Sequence, residues 1–237
     1  MPELQRICSP TIDALAYEAF GALGCKDFGI TIMRGATSWG THETGILTLP
    51  IASGARDLRI AYDEREAPYV LGQDGQEDTS WAISLADEGD LLACAWARLG
   101  EGAPLLGVGV DLASSVDFED RPFTQRFIKL VFDDTERAIV REGWPECPAL
   151  GYATAFGAKE AAFKATAQPL RSWYRGNDEP LEFEVRHFSL ASAHEARGEL
   201  RDAAAQYAMD TMDIARIAVN YAQVEGIALV VATSLSE

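Results

Sequence analysis

Positive charge is scarce in this chain. Its 237 residues carry 20 Lys plus Arg against 37 Asp plus Glu, a formal charge of −17 at pH 7. The deficit is shared, with 7 basic and 16 acidic residues up to Pro104 and 13 and 21 beyond it. A general nucleic-acid platform and an anionic-membrane surface are therefore not expected in either half. Metal-binding side chains are also few. Cys8, Cys25, Cys94 and Cys147 lie far apart with no C-x-x-C pair, and His42, His187 and His194 form no H-E-x-x-H. That argues against a structural zinc site and for reduced thiols. No apolar run approaches the roughly 20 residues needed to cross a bilayer. The opening MPELQRICSP has no basic stretch leading into an apolar one, so a cytoplasmic location is expected.

What the chain does have is the composition of a folded protein, 48% apolar and 24% charged. Two stretches read as versions of one pattern. The first runs from GITIM (Gly29 to Met33) through LRIAYDE (Leu58 to Glu64) to WAISLADEGDLLACAWA (Trp81 to Ala97). The second runs from LLGVGVDL (Leu105 to Leu112) to ARIAVNYAQVEGIALVVATSL (Ala215 to Leu235). Each ends in two apolar runs around a short acidic turn with Gly, the signature of a β-hairpin. The joint, Arg98 to Pro104, is rich in Gly and Pro, so the expected division is an N-terminal lobe 1–104 and a C-terminal lobe 105–237. Between the hairpins the rhythm is helical, over Thr11 to Leu23, Glu199 to Met212 and, most clearly, Thr154 to Ala167 with a stop at Pro169. Together these predict an α+β fold of two similar lobes, each a small antiparallel sheet packed against helices.

The chemistry is concentrated in the second half. Asp111 follows an apolar strand, where an Asp can face a ligand or simply form a turn or cap. VFDDTERA (Val131 to Ala138) starts a helix, with Asp134 or Thr135 as cap and Glu136 in the first turn, where a carboxylate complements the helix dipole. In FGAKEAAFKA (Phe156 to Ala165), Glu160 and Lys164 share a helical face and Lys159 lies on the adjoining stripe. Charges on a helix otherwise made of Ala and Phe need partners. A divalent cation between Asp111 and Glu160, with Lys159 and Lys164 on a phosphate, would supply them. GVGVD lacks the third glycine of a dinucleotide fingerprint.

The three motifs, G-V-G-V-D at 107–111, R-F-x-x-x-V-F-x-x-x-E at 126–136 and F-x-A-K-E-A-x-x-K-A at 156–165, resemble the 4'-phosphopantetheinyl transferase superfamily in order and spacing. From about Leu105 onward the chain is similar to holo-acyl-carrier-protein synthases. The preceding lobe gives it the layout of the longer, monomeric, surfactin-synthetase-activating branch. The resemblance implies a Mg2+-dependent enzyme that transfers 4'-phosphopantetheine from coenzyme A to a serine of an apo acyl or peptidyl carrier protein. It implies Asp111 and Glu160 as Mg2+ ligands, Glu136 as base, Lys159 and Lys164 on the phosphates with Lys164 also as acid, and a monomer. Carrier proteins are generally acidic, so recognition by this acidic chain would rest on a local patch. Arg171, Arg175, Arg126 and Lys129 with Trp173 and Tyr174 are the candidates.

Three positions depart from the family pattern. Ala113 stands where the longer branch has a second acid, and Glu66-Ala67-Pro68 where it has G-K-P. The first-lobe hairpin lacks the S-H pair whose histidine meets the 3'-phosphate of coenzyme A. Alignment on Gly89 puts Ala86-Asp87 there, and alignment on Ser84 puts Leu85 there. Ser84 and Asp87 are thus the candidate donor-binding residues of this hairpin. The alternatives are a non-catalytic relative with a binding or regulatory role, or a transferase whose donor lacks the 3'-phosphate.

Overall fold

The computed structural model describes residues 5–25, 27–35, 47–49, 58–100, 102–119, 122–175, 184–185, 188, 197–198, 209–224 and 226–237. The first half runs β1 (Gln5–Ile7), α1 (Pro10–Phe20), β2 (Phe28–Arg34), β3 (Leu47–Leu49), β4 (Leu58–Tyr62), β5 (Pro68–Val70), β6 (Trp81–Glu88) and β7 (Leu91–Arg98). The second runs β8 (Leu105–Ser114), α2 (Pro122–Val131), α3 (Asp134–Gly143), α4 (Pro148–Ala165), α5 (Ala167–Tyr174), β9 (Arg197–Gly198), β10 (Arg216–Val224) and β11 (Ile227–Leu235).

Both expected hairpins form. Glu88 pairs with Leu91 around Gly89 and Val224 with Ile227 around Gly226, and both glycines have positive φ, as such tight turns require. In the first sheet the order is β1-β2-β7-β6, and in the second β8-β11-β10-β9. Strands β2-β7-β6 and β8-β11-β10 therefore repeat one antiparallel arrangement, in which the opening strand pairs with the second strand of the closing hairpin. The fold is α+β, as the sequence predicts. A separate three-stranded sheet, β3-β4-β5, absorbs LRIAYDE, which the repeat pattern does not anticipate.

The two halves share a core. Ile12, Leu15 and Phe20 of α1 pack in one buried cluster with Ile30 of β2 and with Val110, Leu229 and Val231 of the second sheet. The edge strands β6 and β8 face each other, and the Val110 N–H donates to Ser84 Oγ at 3.0 Å.

Helix α4 lies on β8 and β11 with no room between. A Cβ on Gly109 would sit 1.7 Å from the carbonyl oxygen of Ala161, and one on Gly107 2.3 Å from that of Ala165. These two glycines of GVGVD serve helix-on-strand packing. The alanines of α4 complete the seam, since Ala158, Ala161, Ala162 and Ala165 are all buried.

The helix boundaries differ from the predicted ones. Helix α4 starts six residues earlier than Thr154, at Pro148 in its first turn. Bare Gly151 there lets Val140 and Trp144 approach, so packing outweighs the glycine's low propensity. The helix ends at Ala165, where the Thr166 hydroxyl donates to the Phe163 carbonyl. Pro169 is no stop, because it falls in the first turn of α5, where a missing N–H costs nothing. The expected helix 199–212 lies outside the described residues up to 208, and 209–211 are helical.

Candidate functional site

Strand β8 and helix α4 bring Asp111 and Lys164 together. Lys164 Nζ donates to Asp111 Oδ1 at 2.7 Å and to the Val110 carbonyl at 3.2 Å. The other carboxylate oxygen lies 3.4 Å from where a Cβ on Gly157 would sit, so this glycine too keeps α4 close. Glu160 stands one turn before Lys164. Asp111 is buried, 7% exposed. Burial pushes its carboxyl up to about 6; the Lys164 ammonium opposes the shift, and the nearby negative charges of Glu160 and Glu88 reinforce it. Desolvation thus outweighs the ion pair. Excess negative charge remains here even with Lys164 in contact.

A cavity of about 280 Å3 opens between the halves. Its lining includes Ser84 and Leu85 of β6, Glu160, Phe163 and Lys164 of α4, and Arg171 of α5. The alignment on Ser84 is therefore the one that reaches a cavity, with Leu85 in the wall. Asp87 is exposed near the hairpin tip and lines neither this cavity nor the next. Ser84 is 3% exposed, and its hydroxyl is engaged by the Val110 amide. A second cavity, of about 480 Å3, is walled by Ala113, Phe118, Phe127 and Phe156, with Glu88 and Asp117 at its polar side. Burial, then the charges of Asp117 and Asp87, raise the Glu88 carboxyl.

Glu136 and Lys159 are placed differently from expectation. Lys159 Nζ sits 2.9 Å from Glu136 Oε1, and each side chain is 1% exposed. Asp133, rather than Asp134 or Thr135, caps α3. It accepts from the Glu136 N–H at 2.8 Å, and its own N–H donates to Glu136 Oε2 at 3.0 Å, a complete capping box. Both carboxylate oxygens of Glu136 are thus engaged, and neither Glu136 nor Lys159 lines either cavity.

Two of the candidate patch residues, Arg171 and Arg175, are paired within the chain. Residues 167–174 form α5, and Arg171 reaches Asp63 at 3.2 Å and Glu77 at 3.3 Å in the first half. Arg175 pairs with the same Glu77. Sequence reading misses Asp63 and Glu77 because nothing local marks an ion pair that closes over about a hundred residues. Arg126 and Lys129 are exposed on α2.

The donor set at Asp111 and Glu160 suits a hard cation, two carboxylates on facing elements where one remains under-neutralised. Among the described residues no group of three or more His, Cys, Asp or Glu forms a self-contained metal site. A cation here would need further oxygens from a ligand or water. Also among the described residues, no helix is long and apolar enough to cross a membrane, and all four cysteines are free.

Residues 107–220, just under half of the chain, match the family model for the 4'-phosphopantetheinyl transferase superfamily, a span that contains the three motifs. Among solved structures it is similar to the holo-ACP-synthase of Plasmodium yoelii, at 19% identity over 56% of this chain and 96% of that one, with a TM-score of 0.42. It is similar to the holo-[acyl-carrier-protein] synthase of Helicobacter pylori in complex with coenzyme A, at 17% identity over 54% and 99%, with a TM-score of 0.41. The acyl carrier protein synthase of Mycobacterium tuberculosis aligns at 25% identity over 56% and 99%, with a TM-score of 0.38. No curated protein matches the chain.

Proposed function

We propose that the protein transfers 4'-phosphopantetheine from coenzyme A to a serine of an apo acyl or peptidyl carrier protein. The observation that carries this reading is the presence of Glu160 and Lys164 in the wall of a cavity between the halves, with Asp111 paired to Lys164 behind it, inside the segment that matches the superfamily. Phosphoryl transfer needs an in-line approach, charge to meet the phosphate oxygens and little covalent chemistry. Asp111 and Glu160 would hold Mg2+, which when bound neutralises pyrophosphate oxygens. Lys164 stands at the same place with its side chain 29% exposed. With the donor present it turns from Asp111 to the phosphates and neutralises the leaving 3',5'-ADP.

In the reaction the serine oxygen bonds to the phosphorus that carries the pantetheine arm. The anhydride bond to the departing nucleotide breaks, and the hydroxyl proton goes to a base. Glu136 reaches that proton only if its pair with Lys159 opens or a water relays it. In the closed arrangement Glu136 is a positioning residue, fixing the start of α3 against α4. The apolar cavity beside Ala113 is suited to the pantetheine arm. Leu85, a neutral wall where a cation would favour the donor, is the feature that supports the alternative of a non-catalytic binding relative.

Incubating the protein with Mg2+, coenzyme A and a panel of apo carrier proteins tests the reading by mass spectrometry. A carrier gaining one phosphopantetheine on serine is the expected result. Donor binding without transfer to any carrier would favour the binding relative.

A further inference from the structure

The tip of the β4–β5 hairpin forms part of the wall of the inter-half cavity, through Asp63, Arg65, Glu66 and Ala67. It folds as one piece. Beyond the last ladder pair, Tyr62 with Pro68, the Asp63 N–H donates to the Ala67 carbonyl at 3.1 Å, and Asp63 Oδ1 accepts from the Arg65 and Ala67 amides at 2.9 Å. None of residues 63–67 is buried, so apolar burial does little to hold the tip down.

Charge holds it to the second half instead. Arg171 Nη1 donates to Asp63 Oδ2 at 3.2 Å and to the Ala67 carbonyl at 3.4 Å, and the Arg65 guanidinium lies 3.5 Å over the Tyr174 ring. All three contacts end on α5, which lines the same cavity through Ala167, Leu170 and Arg171. Helix α5 is the fixed side. Its Pro169 is buried, and Leu170 and Trp173 pack against the core of the second half. Glu77, outside the tip, faces Arg171 at 3.3 Å and pairs with Arg175 as well. Release of Asp63 therefore leaves Arg171 with a carboxylate beside it, which lowers the cost of breaking the pair.

We infer that the β4–β5 tip is a flap on the inter-half cavity, hinged at Tyr62 and Pro68 and latched on α5 by the Asp63–Arg171 pair and by Arg65 on Tyr174. Lifting the tip parts two sections of the cavity wall and widens the way in, and closing restores both contacts. The flap works whatever molecule the cavity takes, so it stands apart from the transferase reading.

Asp63→Asn separates the latch from the tip, because Oδ1, which holds the turn amides, is kept and the charge facing Arg171 is lost. The probe is Leu85→Cys, in the cavity wall, labelled with a maleimide and read at that residue by peptide mass spectrometry. Exposed Cys8 is the reference for free reaction. The introduced thiol should react far more slowly than Cys8. Adding Asp63→Asn should speed it about tenfold and adding Arg65→Ala about threefold, while amide hydrogen exchange in β8 and α4 stays as it was. Glu64→Gln, which removes an exposed charge from the same tip, should leave the rate unchanged. If Leu85→Cys does not fold, Ala167→Cys on the α5 side of the cavity replaces it as the probe. An introduced thiol as reactive as Cys8, a rate unmoved by Asp63→Asn, or an acceleration matched by faster exchange in β8 and α4 overturns the flap.

Discussion

Helix α4 carries two lysine–carboxylate pairs five residues apart, and they differ in what surrounds them. Lys159–Glu136 is sealed, each partner 1% exposed, with the carboxylate further fixed by a capping box. In Lys164–Asp111 the lysine lines a cavity, the side chains are 29% and 11% exposed, and burial leaves the Asp111 carboxyl raised despite its partner. The first pair has no vacancy for a ligand. The second is a strained electrostatic arrangement that a cation and an anionic ligand together would relieve. Similar residue types on one helix are thus sorted by packing into a brace and a candidate site.

The largest effect should come from the site. Asp111→Ala and Glu160→Ala should each lower transfer by about 100-fold or more, a loss read in a carrier-modification assay. Asp111→Ala should leave thermal unfolding nearly unchanged, because it removes a desolvated carboxylate along with the pair. Retained transfer in either variant would contradict the metal assignment.

The brace should answer in stability. Glu136→Gln keeps the capping geometry but leaves Lys159 buried and unpaired, at a cost of about 3–5 kcal/mol in denaturant unfolding. Adding Lys159→Met should restore much of that stability. If transfer recovers with it, Glu136 is a positioning residue; if kcat stays low while coenzyme A binding is normal, Glu136 is the base.

Gly109→Ala probes the spacing between α4 and β8. Its methyl would collide with the Ala161 carbonyl, backbone against side chain, so α4 must shift, at roughly 1–3 kcal/mol. Transfer should fall with it, since the same shift pulls Lys164 from Asp111.

A gentler effect is expected from pH. The folded chain protonates Asp111 near 6, above the ordinary carboxylate range, so this group favours the fold at acid pH, and that contribution is lost as pH rises through about 6. Mg2+ competes with the same proton, so its affinity should climb between about pH 5 and 7. In Asp111→Asn the step at Asp111 should vanish from a calorimetric titration.

The smallest effect separates the two alignments of the first-lobe hairpin. Asp87→His, at the exposed tip, should change the affinity for coenzyme A by less than about twofold. A selective tightening would return Asp87 to the donor site.

Much of the fold was legible because it is local. Both hairpins follow from alternation around Gly89 and Gly226, and the spacing of Glu160 and Lys164 puts them on one face. What sequence reading misses depends on distant partners. Asp133 takes the cap from its neighbours because Glu136 must reach back to it while facing Lys159. The RSWYRG stretch reads as a surface patch until Asp63 and Glu77 arrive from the other half. Gly107 and Gly109, which read only as part of a motif, prove to be the contact surface that holds Asp111 against Lys164.

The most direct measurement is the mass of an apo carrier protein after incubation with coenzyme A and Mg2+, using the wild type, Asp111→Asn and the stabilised Glu136→Gln/Lys159→Met pair. One added phosphopantetheine is expected with the wild type and with the repaired brace, and none with Asp111→Asn. Modification by Asp111→Asn at the wild-type rate would contradict this expectation.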